Sequence, residues 1–213
     1  MNVSGPQSPD PLPTKAEVRA AVRAHLANLT SPQRQEAAAT LAAKLARLLN
    51  DLNVRSVLVY APFADELPLL PHFLALPVHT RVTNLCFPRC DWQSHTLVPV
   101  PVRAESDLRP TSNLRLPPEP RGNLAPLPAH ELQAIVTPGL AFDPHCNRLG
   151  RGGGFYDRLL ATRFVAEKTL KATTIALAAD VQVVDRVPTD AWDQPLDQIL
   201  TPTTAYKRPS FGA

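Results

Sequence analysis

Four of the chain's eight glycines fall in one short stretch, "NRLGRGGGFYDRLL" at 147–160, where Gly150, Gly152, Gly153 and Gly154 separate two apolar segments. Bare backbone of this kind can take positive φ and approach a ligand without Cβ obstruction, and a helix start behind it adds partial positive charge. With "AIVT" before it and "TTIALAA" after it, the stretch predicts strand 134–137, a glycine-rich loop, a helix from about 154 to 168 and strand 173–179. Two parallel strands joined through a helix require a right-handed crossover, so this segment commits the chain to an α/β sheet.

Further β-branched runs, "SVLVYAP", "RVTNLCFP", "TLVPVPV" and "QIL", extend that sheet. The architecture expected is α/β, a mainly parallel sheet with flanking helices in a Rossmann-like three-layer arrangement. An N-terminal helical hairpin precedes it. In "KAEVRAAVRAHLANL" the residues Val18, Val22, Leu26 and Leu29 recur at helical spacing, while Lys15, Arg19 and Arg23 form a basic stripe on another face. The next helix starts with Thr30 or Ser31 as N-cap and Pro32 in its first turn, and sets Leu41, Leu45 and Leu48 on one side. Residues 1–14, with four prolines, read as a disordered leader; 15–205 form a single domain and 206–213 a tail. The proline-rich stretch 103–130 is expected to wander over the surface.

At 213 residues and 44% hydrophobic, the chain has enough apolar material for one substantial core. No run of 18 apolar residues and no signal-like start occur, so neither a membrane partner nor export is indicated, and a cytoplasmic monomer is expected. The three cysteines are an odd, sparse set that predicts reduced thiols. Cys86 and Cys90 lack a second pair or a histidine at zinc-ligand spacing and read as ordinary thiols. A net charge of +3 is too small to imply nucleic acid, but the excess is concentrated: residues 1–50 hold six Lys/Arg against three Asp/Glu. That excess is either a solvated helix face or an arm that approaches an anionic ligand.

Phosphate is the natural guest of the glycine loop, yet both standard fingerprints fail. A Walker loop needs Lys-Ser or Lys-Thr after its last glycine, and G-x-G-x-x-G needs glycine where Phe155 stands. The loop is a cradle of another family or a tight turn. Arg148 and Arg151 bracket it with guanidinium forks, and Phe155 and Tyr156 add planar faces. Asp157, in the first helical turn, either complements the helix dipole or holds a magnesium ion riding on phosphates. None of the six histidines (25, 72, 79, 95, 130 and 145) has a recognisable catalytic partner; His145 reads as a solvated loop residue, and Trp92 and Trp192 read as packing residues.

The segment "PGLAFDPHCNRLGRGGGFYDR", 138–158, resembles the signature of the 5-formyltetrahydrofolate cyclo-ligase family, also called methenyltetrahydrofolate synthetase. The resemblance runs from about residue 15 to 202. "KAEVR" looks like that family's basic pair, which implies that Lys15 and Arg19 contact ATP phosphates. "YAPFADELPLL" is similar to the folate-binding segment, implying Glu66 and Ala61 in the substrate pocket, and "VPTDAWDQPLDQILTP" implies Asp197 as a magnesium ligand beside Asp157. Cys146 stands where the family usually has glycine, Phe155 replaces a frequent tyrosine, and "LPLLP" after Glu66 replaces the usual acid and threonine.

The resemblance implies an enzyme that converts 5-formyltetrahydrofolate and ATP to 5,10-methenyltetrahydrofolate, ADP and phosphate with Mg²⁺. Lys15, Arg19, Arg148, Leu149, Gly150, Arg151, Gly152, Gly153, Gly154, Phe155 and Tyr156 would bind ATP, with Lys15, Arg148 and Arg151 acting on the phosphoryl group. Ala61, Glu66, Arg151, Gly152, Gly153, Gly154 and Phe155 would meet the folate. Two rival readings remain open: a non-catalytic nucleotide- or polyanion-binding relative, and an ATP-independent α/β enzyme of the sugar-phosphate isomerase or CoA transferase kind.

Overall fold

The computed structural model describes residues 13–111, 113, 116–162 and 171–209. Two helices open the described chain, α1 (Lys15–Ala27) and α2 (Ser31–Asp51), and both begin with a capping box, Thr14 with Glu17 and Thr30 with Gln33. The leader expected over 1–14 lies outside the described residues apart from Pro13 and Thr14. Val18, Val22 and Leu26 of α1 are buried, as their spacing predicts, whereas the buried stripe of α2 is Ala38, Leu41, Leu45 and Leu49. Leu48 is half-buried at its margin.

Strands β1 (Ser56–Leu58), β2 (Asn84–Asp91) and β3 (Thr96–Pro101) follow, with the short helices α3 (Leu70–Leu74) and α4 (Leu76–His79) between β1 and β2. Next come β4 (Leu108–Arg109), β5 (Glu119–Pro120), β6 (Ala134–Thr137), β7 (Ala141–Phe142) and β8 (Arg148–Leu149). Helix α5 (Phe155–Ala161) leads to β9 (Thr173–Leu177), β10 (Gln198–Leu200) and β11 (Ala205–Lys207). Residues 163–170, where the longer helix to 168 was expected, lie outside the described residues.

The main sheet has the order β11-β10-β9-β6-β1-β2-β3. Its five inner strands run parallel, with Val57 opposite Ala134 and Val136 opposite Ile175. Both edges are antiparallel: β3 folds back on β2, and β11 on β10 with Ile199 opposite Tyr206. The β11 pairing shows that the final strand passes the expected domain end at 205; the sheet absorbs the start of the predicted tail. Within 103–130, expected to wander over the surface, β4 and β5 form a small pair.

Period-2 alternation divides the strand side chains between two faces. Val57, Val59, Val136, Ile175 and Leu200 pack on the side of α1 and α2, and Leu58, Ile135, Ala176 and Ile199 pack with Leu159 and Leu160 of α5. Helices therefore cover both faces, the three-layer α/β arrangement, and buried parallel strands of this kind read as near-continuous apolar runs. Arg34 of α2 fixes the hairpin to the site side: its guanidinium donates to the Leu26 carbonyl at 2.6 Å and to the Asp65 carbonyl at 3.1 Å. No helix among the described residues is long and apolar enough to cross a membrane.

Candidate active site

A cavity of about 1030 Å³ opens where β1 and β6 end, the edge at which open parallel sheets place their ligands. The segment after β1 brings Tyr60, Ala61, Phe63 and Glu66 to it, and the turn after β6 brings Pro138 and Gly139. The glycine loop spans its centre. α1 contributes Lys15 and Arg19, so the basic stripe of the sequence faces a cavity rather than open solvent at these two positions. Arg23, the third residue of the stripe, is exposed.

The loop takes its shape from two positive-φ glycines, Gly152 at φ 107° and Gly154 at φ 69°, a region in which a Cβ would be strained. Side chains from other elements tie down its carbonyls. Arg19 Nε donates to the Gly150 carbonyl at 2.9 Å, Arg158 donates to the Gly153 carbonyl at 3.3 Å, and His95 Nδ1 lies 3.1 Å from that same oxygen. His95 is thus a loop contact that sequence spacing alone gave no reason to select.

Three ion-pair groups surround the loop. Arg148, whose side chain is only 4% exposed, donates to the Pro138 carbonyl at 3.1 Å and to Asp157 Oδ1 at 2.6 Å. Arg151 donates to Glu66 Oε1 at 3.1 Å and Asp65 Oδ1 at 2.6 Å, with its guanidinium carbon 4.2 Å from the centre of the Phe63 ring. Lys15 Nζ donates to Asp190 Oδ2 at 2.7 Å and also to Asp193 Oδ2. Burial opposes the charge on Lys15, but the hydrogen bonds to Asp190 and Asp193 outweigh it and raise its pKa.

Burial pushes the Glu66 carboxyl above the usual carboxylate range, against the pull of Arg151 and the Phe63 N–H. For Asp65 burial works the same way, but the Arg151 hydrogen bond wins and its pKa falls. Burial raises the Tyr156 hydroxyl as well. Two buried polar atoms of cavity residues, Arg148 Nε and the Tyr156 hydroxyl, have no partner among the described residues. Such atoms are uncommon in folded proteins, where ordered water, an ion or a ligand commonly supplies the missing partner.

Most of the residues predicted from sequence converge: Lys15, Arg19, Ala61, Glu66, Asp157 and all of 148–156 line the cavity. Asp197 does not. It precedes β10, and in a parallel sheet the residue before a strand sits at the edge opposite the strand ends. There its Oδ2 accepts from the Thr174 N–H at 2.8 Å and the Thr174 hydroxyl at 2.9 Å, which joins the starts of β9 and β10. The acids that do reach the cavity from that segment are Asp190 and Asp193, the partners of Lys15. Nothing in the sequence resemblance singled them out; the signal available was their position in "TDAWD", where Asp193 lies four residues before Asp197.

A three-layer α/β sheet with a glycine loop and paired charges at its strand ends defines a class, the α/β proteins with a cavity at the ends of their parallel strands. The comparison with known proteins is more specific. Residues 12–202 match the model of the 5-formyltetrahydrofolate cyclo-ligase family, and the chain belongs to that family. It is 29% identical over 188 residues to the 5-formyltetrahydrofolate cyclo-ligase of Haemophilus influenzae, covering 87% of this chain and 96% of that one. Against the Escherichia coli strain K12 enzyme of the same name, identity is 38% over 81 residues, 38% of this chain and 42% of the relative's length. The solution structure of Aquifex aeolicus 5,10-methenyltetrahydrofolate synthetase superposes with a TM-score of 0.76 at 26% identity, covering 93% of this chain and 95% of that one.

The Arg151 cluster makes a pH-dependent prediction. Removing the cation in Arg151→Met raises the Glu66 pKa further, and a carboxyl whose folded pKa exceeds its unfolded value loses stability as pH rises through the folded value. Asp65, whose pKa Arg151 depresses, loses a contribution that was present above its unfolded pKa, so the two effects have the same sign. The melting-temperature deficit of Arg151→Met relative to the parent is expected to be small at pH 4 and to grow toward pH 7. A deficit that shrinks as pH rises would contradict the assigned pairing.

Proposed function

We propose that this protein catalyses the ATP- and Mg²⁺-dependent cyclisation of 5-formyltetrahydrofolate to 5,10-methenyltetrahydrofolate. The observation that carries the reading is the paired charge around the glycine loop. Lys15 with Asp193 and Arg148 with Asp157 neutralise one another across the cavity, and each pair can exchange partners when a metal–phosphate group arrives. The cations would then meet phosphate oxygens, and Asp157 and Asp193 would be free to hold the metal. Family membership and the unpartnered Arg148 Nε and Tyr156 hydroxyl support the same conclusion.

An N-formyl carbon is a weak electrophile because nitrogen donates into the carbonyl. In the proposed reaction the formyl oxygen attacks the γ-phosphorus, the bond to the bridging oxygen breaks, and ADP leaves. N10 then adds to the activated carbon, the carbon–oxygen bond breaks, phosphate departs and the N10 proton is released, which closes the five-membered ring. Holding the γ-phosphate in line with the formyl oxygen and neutralising the moving phosphoryl group is most of the catalytic task. Lys15, Arg19, Arg148 and Arg151 surround that path, and no nucleophilic side chain is needed. Glu66, Ala61 and Phe155 form the folate side of the cavity, with the loop glycines 152–154 between the two substrates.

The cavity also suits magnesium, which takes few carboxylates and otherwise binds phosphate oxygens and water. Asp157 and Asp193 both line the cavity and are the carboxylates we propose would hold it, in place of the Asp157 and Asp197 pair that the resemblance implied. Among the described residues no group of three or more His, Cys, Asp or Glu side chains gathers at one point, so the nucleotide itself has to supply much of the coordination. Bound there, the ion supplies charge neutralisation for the transferring phosphoryl group.

The reading is tested by mixing the protein with 5-formyltetrahydrofolate, ATP and Mg²⁺ and following the near-ultraviolet absorbance of the methenyl product. Product is expected only when all three are present, and folded protein that yields none contradicts the proposal. Asp193→Asn is expected to lower turnover at least tenfold, about 1.4 kcal/mol in barrier, and to raise the Mg²⁺ concentration needed for half-maximal rate. Asp197→Asn is expected to lower the melting temperature while keeping that Mg²⁺ dependence. The reverse pattern would return the metal to Asp197.

A further inference from the structure

The chain's two tryptophans both line the cavity, and the reaction just described uses neither. They occupy different surroundings. Trp92 packs edge-on against Phe155, with ring centroids 4.9 Å apart and planes at 72°. Trp192 stands between Asp190 and Asp193, the carboxylates that hold Lys15, and is 69% exposed. Among the described residues its indole meets no other ring. A large aromatic left this open contrasts with Phe73, Phe87 and Phe142, all fully buried in the same protein.

The turn that carries Trp192 is braced at both ends. The Val187 N–H donates to the Asp143 carboxylate at 3.0 Å, and the Leu196 N–H donates to the Cys146 carbonyl at 2.8 Å. Between them, the Asp190 N–H donates to Asp193 Oδ2 at 2.7 Å and the Asp193 N–H donates to the Asp190 carbonyl at 3.1 Å. Val187 and Leu196 are themselves buried. An exposed ring on a fixed mount, next to groups suited to phosphate, has the properties of a stacking platform for a planar base.

We propose that Trp192 stacks on the adenine base of the nucleotide, an inference that rests on the phosphoryl-transfer reading above. The charge distribution selects the nucleotide over the pterin as its partner. Trp192 adjoins Lys15 and Asp193, whereas Glu66, Phe63 and Arg151 form a separate cluster tied to the segment after β1. Lys15, the glycine loop and the 190–193 turn line one cavity, so a triphosphate held by the first two would have Trp192 within the same cavity for its base. Stacking is driven by the ring face and makes no use of the base's hydrogen-bonding edge.

The test compares wild type, W92F, W192F and W192A. ADP is titrated while tryptophan emission is followed, and KM values are measured for ATP and for 5-formyltetrahydrofolate. Inorganic tripolyphosphate, which has the charges but no base, serves as a competitor. ADP is expected to quench emission in wild type and W92F but not in W192F. W192A is expected to raise the KM for ATP about fivefold or more, the low end of what one aromatic–base stack contributes. The KM for 5-formyltetrahydrofolate and the inhibition constant of tripolyphosphate are expected to stay at wild-type values, and W192F is expected to restore the ATP KM. An unchanged ATP KM in W192A, a full quench in W192F, or tripolyphosphate binding weakened as much as ATP binding would each overturn the inference. If wild type makes no methenyl product, the reaction reading fails instead, and the ADP titration still decides the role of Trp192.

Discussion

Arg148 is the constraint on which the site depends. Its guanidinium, almost wholly buried, joins the carbonyl of Pro138 just after β6 to the carboxylate of Asp157 in the first turn of α5. Strand end and helix start are thereby closed into an arch, and the glycines are the span between its feet. The planar fork of donors on arginine suits two acceptors in different directions, which the point charge of a lysine does not. A buried cation is costly unless paired, so until another anion meets Arg148 the arch needs Asp157 as its partner. Arg19 then anchors α1 to the arch through the Gly150 carbonyl, which brings the N-terminal basic stripe to the cavity.

From that arrangement follows a site that is internally neutralised before any ligand arrives. Three of the cations at the glycine loop already have a carboxylate: Lys15 has Asp190 and Asp193, Arg148 has Asp157, and Arg151 has Asp65 and Glu66, while Arg19 and Arg158 bond the loop's carbonyls. Such pairs keep charge in a partly buried cavity without the penalty of isolated ions. They also give a reason for both signs to be there. In the proposed reaction a phosphate chain with its metal would present the same two signs in reverse, so an exchange of partners would leave no charge stranded.

Much of this was legible in the sequence because it is local. The helix cap at Thr30, the strand runs and the glycine loop each announce themselves within a few residues, and the structure places them there, whereas the cap at Thr14 fell in the stretch expected to be a leader. The resemblance to the cyclo-ligase signature carried the distant residues, Lys15, Arg19 and Glu66, to the same cavity. Spacing could not reveal which side of the sheet an acid reaches. Asp193 and Asp197 are four residues apart, yet the first lies on the turn at the cavity and the second at the opposite edge of the sheet. The antiparallel edges were equally hidden: the β-branched run of β3 does not state the direction of its partner, and β11 has no such run and lies where the domain was expected to end. His95 reaches the loop from the turn between β2 and β3, a contact that exists only once those strands have paired.

The most direct test follows one oxygen atom. If the γ-phosphoryl group is transferred to the formyl oxygen at this glycine loop, 5-formyltetrahydrofolate labelled with ¹⁸O in the formyl group must pass its label to inorganic phosphate during turnover, as read by the isotope shift in ³¹P NMR. Release of unlabelled phosphate, with the label appearing in water, would contradict the mechanism proposed for this cavity.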